Sequence, residues 1–277
     1  MIAIKKMEDR LGIKFSELRE RKQAALICYM VAGFPDLKTS ASIIETLVNA
    51  GADMIEIGIP FSDPIADGPI IQEASHHALT HGVRPQQCIS LVRATRRAFP
   101  DIPLIFMTYS NILYRAGFES FMSKARDSGI DGFILPDMSI EESEEYTRIS
   151  HELGLASIFI VSPNTEDNRV RKIMKVSTGF LYAVSVYGVT GVRNMLYDRS
   201  IKRIVELRKN SKSSLPIAVG FGVQKLDHVS MMVAAGADAI IMGSALINII
   251  KTSEHNPNML KDLYNFVRRM KNACRYQ

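Results

Sequence analysis

Short apolar runs alternate with amphipathic stretches along the chain. The apolar runs predict strands near residues 26–31, 54–59, 104–108, 132–135, 157–161, 180–186, 217–220 and 239–242. The stretches between them predict helices, among them 38–49, 85–98, 141–153, 200–209 and 226–234. Continuously apolar strands that alternate with helices indicate a parallel sheet covered by helices on its outer side.

One junction recurs. Ala50-Gly51-Ala52-Asp53, Ser128-Gly129-Ile130-Asp131 and Ala235-Gly236-Ala237-Asp238 each stand immediately before a strand. Each reads as a helix end with Gly in the left-handed conformation, a short turn and a strand. A repeated junction points to a repeated β/α unit. Eight strands in 277 residues favour an α/β fold of the closed (β/α)8 TIM-barrel type. A doubly wound open sheet is the competing architecture. Extra helices are expected near the N-terminus, where 14–20 would plug the barrel bottom, and after the second strand at 70–79. A last helix, 258–273, closes the chain. No linker or low-complexity tract interrupts it, so one domain over 1–277 is expected.

Composition changes this picture little. The chain is 47% hydrophobic and carries a net charge of +5 from 34 basic and 29 acidic residues. No basic run is interleaved with aromatics, which argues against nucleic-acid binding. A mildly basic enzyme acting on an anion fits the balance. Cys28, Cys88 and Cys274 are far apart and form no CxxC, against both a disulfide framework and a thiolate metal site. The charged N-terminus lacks the apolar core of a signal peptide, and no run reaches the roughly 18 apolar residues of a membrane span. A cytoplasmic location is the expectation.

The chemistry concentrates at the strand ends. Glu56 interrupts the apolar run Met54-Ile55-Glu56-Ile57-Gly58-Ile59, and the loop Pro60-Phe61-Ser62-Asp63-Pro64-Ile65-Ala66-Asp67-Gly68-Pro69 follows. Burying a carboxylate is costly unless it is neutralised or paired. Glu56 is therefore either partnered by a buried Arg or Lys, or it does chemistry. Alternation puts Ile55, Ile57 and Ile59 against the helices and Met54, Glu56 and Gly58 inward. Glu56 then points into the barrel near the end where active sites of this fold lie, with Asp67 on the loop leaving the same strand. Asp137 could be an active-site group or the N-cap of the helix at Glu141. Tyr182 could line the site or simply fill core.

Strands seven and eight end in Gly220-Phe221-Gly222 and Gly243-Ser244, and a short apolar helix follows the second. Phosphate sites of this fold form from these two loops and a helix N-terminus. The loop Tyr187-Gly188-Val189-Thr190-Gly191 could close over a ligand. No lysine falls in a strand, against a Schiff-base aldolase, and no histidine does, against a metal-dependent one. What remains is carboxylate acid–base chemistry on a phosphorylated substrate, without metal. A related phosphate-binding barrel would need a Lys or Cys at a strand end, and Cys28 is its one candidate.

Glu56 with the loop 60–69, Tyr187-Gly188-Val189-Thr190-Gly191, Gly220-Phe221-Gly222 and Gly243-Ser244 together closely resemble the signature of the tryptophan synthase α subunit family, from about residue 15 to the C-terminus. The resemblance implies retro-aldol cleavage of indole-3-glycerol phosphate to indole and glyceraldehyde 3-phosphate. It implies that Glu56 moves protons between the side-chain hydroxyl and indole C3, and that Asp67 bonds the indole N–H and stabilises the positive charge. Burial should raise the Glu56 pKa while Asp67 stays ionised. By the same resemblance Tyr182 lines the pocket, Gly191, Gly222, Gly243 and Ser244 hold the phosphate, and Thr190 orders the site on loop closure. No cofactor is implied in this chain. A pyridoxal-phosphate β subunit in an α2β2 heterotetramer is the implied partner, receiving indole through a tunnel, with Asp63, Pro64 and Asn111 near the interface. The chain departs from many bacterial members in having Val186-Tyr187 where a polar or basic pair stands, and Val192-Arg193-Asn194 follows the loop. A stand-alone indole-releasing lyase and a non-catalytic activator of the β subunit are the alternatives.

Overall fold

The computed structural model describes residues 9–184, 193–210, 215–220, 225–253 and 256–276, with the backbone alone for 193–200 and 210. Its strands are β1 (Ala25–Val31), β2 (Met54–Gly58), β3 (Leu104–Met107), β4 (Gly132–Ile134), β5 (Ala156–Val161), β6 (Leu181–Val184), β7 (Ile217–Gly220) and β8 (Ala239–Met242). They are all parallel and close in chain order, because β8 pairs back onto β1 with Ile241 opposite Ile27. This closure excludes the doubly wound sheet and makes the fold a TIM barrel.

The helices are α1 (Arg10–Glu20), α2 (Leu37–Asn49), α3 (Pro69–Thr80), α4 (Pro85–Ala98), α5 (Ser110–Ala116), α6 (Phe118–Ser128), α7 (Glu144–Leu153), α8 (Asp167–Val176), α9 (Arg193–Asn210), α10 (Leu226–Ala234), α11 (Ser244–Thr252) and α12 (Met259–Ala273). None of those described is long and apolar enough to cross a membrane. The extra helices fall where the sequence puts them, α1 before the first strand and α3 after the second. Helix α1 starts at Arg10 rather than Lys14, because the Asp9 carboxylate accepts the Gly12 N–H and caps the first turn. It buries Leu11, Phe15 and Leu18, and Phe15 meets Phe180, just before β6, edge-on at 6.1 Å. The stretch 141–153 is not one helix. A 3₁₀ turn over Ile140–Glu142 precedes α7, and the Ser143 hydroxyl turns back onto the Ile140 carbonyl at 2.8 Å.

The three repeated junctions do one job at the barrel's N-terminal end. Gly51, Gly129 and Gly236 have φ of 107°, 107° and 102°, where a Cβ would be strained. The aspartate two residues on accepts an N–H at the start of the preceding strand: Asp53 from Leu26, Asp131 from Leu104 and Asp238 from Ile217, at 2.7, 2.8 and 2.7 Å. Each carboxylate also meets a cation from a covering helix: Lys271 on Asp53, Arg96 on Asp131 and Arg208 on Asp238. Between β5 and β6, Thr178 takes the same place, its hydroxyl accepting the Ser157 N–H at 2.8 Å. The barrel is thus stapled in four successive strand pairs, three times with a charge and once with a hydroxyl.

Candidate active site

The strand register sorts the side chains. Glu56 lies opposite Tyr29 of β1 and Ile105 of β3, so these three share a face. Tyr182 of β6 feels the Glu56 charge from across the ring of strands, which makes the shared face the inward one. Ile55 and Ile57 face the helices as their alternation requires. Cys28, in register with Ile55 and Met242, also faces outward, and burial pushes its thiol far up. It is no strand-end nucleophile.

Glu56 is fully buried, and neither carboxyl oxygen has a hydrogen-bond partner among the described residues. The buried Arg or Lys of the structural alternative is therefore missing among the described residues. Burial first, and the Asp67 charge second, raise its pKa to about 8. At neutral pH it holds a proton it can give away.

Asp67 is held differently. Its Oδ2 accepts the Tyr109 hydroxyl at 3.0 Å, while its Oδ1 is buried and without a partner among the described residues. Burial raises its pKa to about 6, and the Tyr109 bond opposes that rise. The expectation that Asp67 stays ionised beside a protonated Glu56 holds near pH 7, with a narrower margin than an ordinary aspartate has. The loop is rigidly set. Tyr109 accepts the Ala66 N–H at 3.0 Å, its ring stacks on Phe61 at 5.0 Å, and Asp67 N–H bonds the Pro64 carbonyl at 3.0 Å. Gln72, in the first turn of α3, donates to the Asp67 carbonyl at 2.9 Å.

Glu56, Asp67 and Tyr182 thus come together at the carboxyl ends of the strands. Gly243 and Ser244 open α11 directly after β8, beside β1, leaving the first amides of that helix at the same end. Asp63 is exposed with Pro64 half-buried on the loop, and Asn111 is exposed on α5, two residues after Tyr109. Thr190, Gly191 and Gly222 lie outside the described residues. Asp137 is not the N-cap expected for the helix at Glu141. Its carboxylate takes the Ser110 N–H at 2.9 Å and the Ser110 hydroxyl at 2.7 Å, so it caps α5 from the neighbouring strand end. Two site residues escaped the sequence reading, Tyr29 and Tyr109. Tyr29 was open to it through the inward parity of strand one. Tyr109 lies just beyond a strand, where alternation no longer assigns a face. A cavity of about 940 Å³ between α3, α11 and α12 lies outside the barrel and holds neither carboxyl.

A closed parallel barrel with a protonated carboxyl and an ionised one buried together at its carboxyl end is the architecture of an acid–base enzyme. The family is settled by comparison: residues 15–275 match the model of the tryptophan synthase alpha chain, and the chain belongs to that family. Curated relatives of that description include one from Methanosarcina barkeri, 43% identical over 87% of this chain and 89% of its own, and one from Aquifex aeolicus, 38% identical over 96% and 99%. The solved tryptophan synthase subunit alpha of Legionella pneumophila superposes with a TM-score of 0.86 at 33% identity, covering 97% of this chain and 99% of that one. Tryptophan synthase from M. tuberculosis gives 0.85 at 30% identity, over 96% and 99%.

Proposed function

We propose that this chain is the α subunit that cleaves indole-3-glycerol phosphate to indole and glyceraldehyde 3-phosphate. The observation that carries the reading is the buried Glu56 carboxyl, unpartnered among the described residues, beside the braced Asp67. Cleavage needs a proton delivered to indole C3, a proton taken from the side-chain hydroxyl, and a counter-charge for the ring cation formed between these events. Protonated Glu56 gives its proton to C3. The carboxylate left behind then takes the hydroxyl proton as the C–C bond breaks and the aldehyde forms, which returns Glu56 to its starting state. Asp67 accepts the indole N–H and balances the cation from a fixed position, so little reorganisation is needed when the charge develops. Tyr182 walls the indole. Gly243 and Ser244, with Gly191 and Gly222, hold the phosphate, and Thr190 orders the site as its loop closes.

One domain spanning 1–277, located in the cytoplasm, completes this reading. Its partner is a β chain that carries pyridoxal phosphate and takes the indole onward to tryptophan in an α2β2 assembly. The exposed Asp63, the neighbouring Pro64 and Asn111 form the contact patch, and Ile65, 82% exposed on the same loop, adds apolar surface to it. The test is indole release from indole-3-glycerol phosphate by the purified chain, alone and with a β subunit. Release that rises when β is added supports the α-subunit reading. Release that β leaves unchanged supports the stand-alone lyase. No release in either case leaves only an activator role.

A further inference from the structure

Two tyrosines stand in the same relation to their neighbouring strands. Tyr182 of β6 pairs with Ala218 of β7, and a Cβ built on Gly220, two residues further on, would lie 2.4 Å from the Tyr182 hydroxyl. Tyr29 of β1 pairs with Glu56 of β2, and a Cβ built on Gly58, again two residues further on, would lie 2.3 Å from the Tyr29 hydroxyl. Each phenol fills the space its glycine leaves, one inward layer nearer the mouth. A Cβ on Gly243 would also stand 2.9 Å from Cδ1 of the Tyr29 ring.

Tyr29 therefore spans two parts of the site. Its ring rests on Gly243, at the start of α11, and its hydroxyl sits over Gly58, just above Glu56. With the phosphate at α11 and the indole at Asp67, as proposed above, the chain of carbons joining them would run beside this side chain. Donors are scarce here, since both Glu56 oxygens and Asp67 Oδ1 are buried and unmet among the described residues. The phenol is 5% exposed, and burial with the two carboxylate charges keeps it protonated, a donor at any working pH. Phenylalanine would fill the same volume without the cost of desolvating a hydroxyl.

We propose that Tyr29 is a further catalytic residue, whose hydroxyl donates a hydrogen bond to the side-chain oxygen of the substrate that becomes the aldehyde oxygen. This rests on the cleavage reaction proposed above. In the bond-breaking step the substrate O–H proton passes to the Glu56 carboxylate and the freed electron pair forms the C=O bond. The pair of the broken C–C bond returns to the indole ring. Tyr29 keeps its own proton throughout and stabilises the oxygen while it carries partial negative charge.

Tyr29→Phe removes the hydroxyl and keeps the ring. Steady-state indole release should then show kcat lowered by about tenfold, with KM within about threefold of wild type, because the bond tightens in the transition state. Binding of glycerol 3-phosphate should stay within about twofold, which separates the effect from loss of packing against Gly243. A kcat within about twofold of wild type overturns the proposal, and so does a rise in KM at unchanged kcat. Absence of indole release from the wild-type chain with its β partner would instead refute the reaction on which the proposal rests.

Discussion

The Tyr109 hydroxyl ties Asp67 to its own loop. It donates to the Asp67 carboxylate and accepts the N–H of Ala66, the residue just before, both at 3.0 Å. One phenol thus fixes the carboxylate and the backbone that carries it, and it lowers a pKa that burial raises.

Tyr109→Phe should therefore push the Asp67 pKa up from about 6. In the proposed mechanism Asp67 is ionised to balance the indole cation, so the acid limb of the kcat/KM profile should move to higher pH. The rate at the optimum should fall by about 10-fold or more, the worth of a hydrogen bond to a charged group. A pH–rate profile superimposable on that of the wild type would show the bond to be incidental.

Glu56 carries a stability signature separate from its proposed catalytic role. Its folded-state pKa, about 8, lies above the ordinary 4.5. Its neutral form is the one the fold tolerates, so its contribution is fully present below the ordinary value and is lost as pH rises through about 8. Glu56→Gln has no such dependence. Thermal unfolding should show the variant more stable than wild type at pH about 9, by a margin on the order of a few kcal/mol that shrinks toward pH about 5. Parallel stability curves would mean that Glu56 ionises at no cost.

Gly243 packs against Tyr29 and, in the proposed function, holds the phosphate, and substitution can separate the two. Gly243→Ala brings a Cβ to 2.9 Å from the Tyr29 ring, whereas Gly243→Asp adds a negative charge at the α11 N-terminus as well. Alanine should raise KM modestly, and aspartate by about 10-fold or more beyond it, from repulsion of the phosphate. Equal KM values for the two variants would move the phosphate site elsewhere.

The staples at the other end of the barrel should matter for stability and not for chemistry. Asp131→Ala strips Arg10 and Arg96 of their shared carboxylate and leaves the Leu104 N–H without its acceptor. Denaturant unfolding should show a loss of about 3–5 kcal/mol, the usual result of removing one partner of a buried ion pair. Indole release per folded molecule should be unchanged. A lowered kcat at full folding would couple the two ends of the barrel.

What was legible in the sequence follows from what governs each feature. Strands 217–220 and 239–242 and helices 85–98 and 226–234 match to the residue, because burial on both sheet faces writes continuous apolar runs and amphipathic helices end sharply. Glu56 stood out because a carboxylate inside such a run has no ordinary reason to be there. The α1 start at Arg10, capped by Asp9, and the break at Ser143 escaped, since both are set by one side-chain hydrogen bond rather than by a pattern. The N-cap expected at Asp137 failed for a similar reason. Its partner Ser110 is 27 residues away, and no local rule connects a strand end to the helix after a different strand. The contact between Tyr29 and Gly58 depends on strand register, which parity constrains but does not fix.

In the proposed mechanism everything turns on Glu56 as the proton-transferring acid and base of cleavage. Its most direct test is a single turnover of indole-3-glycerol phosphate with enzyme in excess over substrate, at pH near 7, comparing wild type with Glu56→Gln. If Glu56 transfers the protons, the variant forms indole about 10²-fold or more slowly, the usual worth of general acid–base catalysis, with substrate affinity within about threefold. A variant that forms indole within about tenfold of the wild-type rate would contradict it.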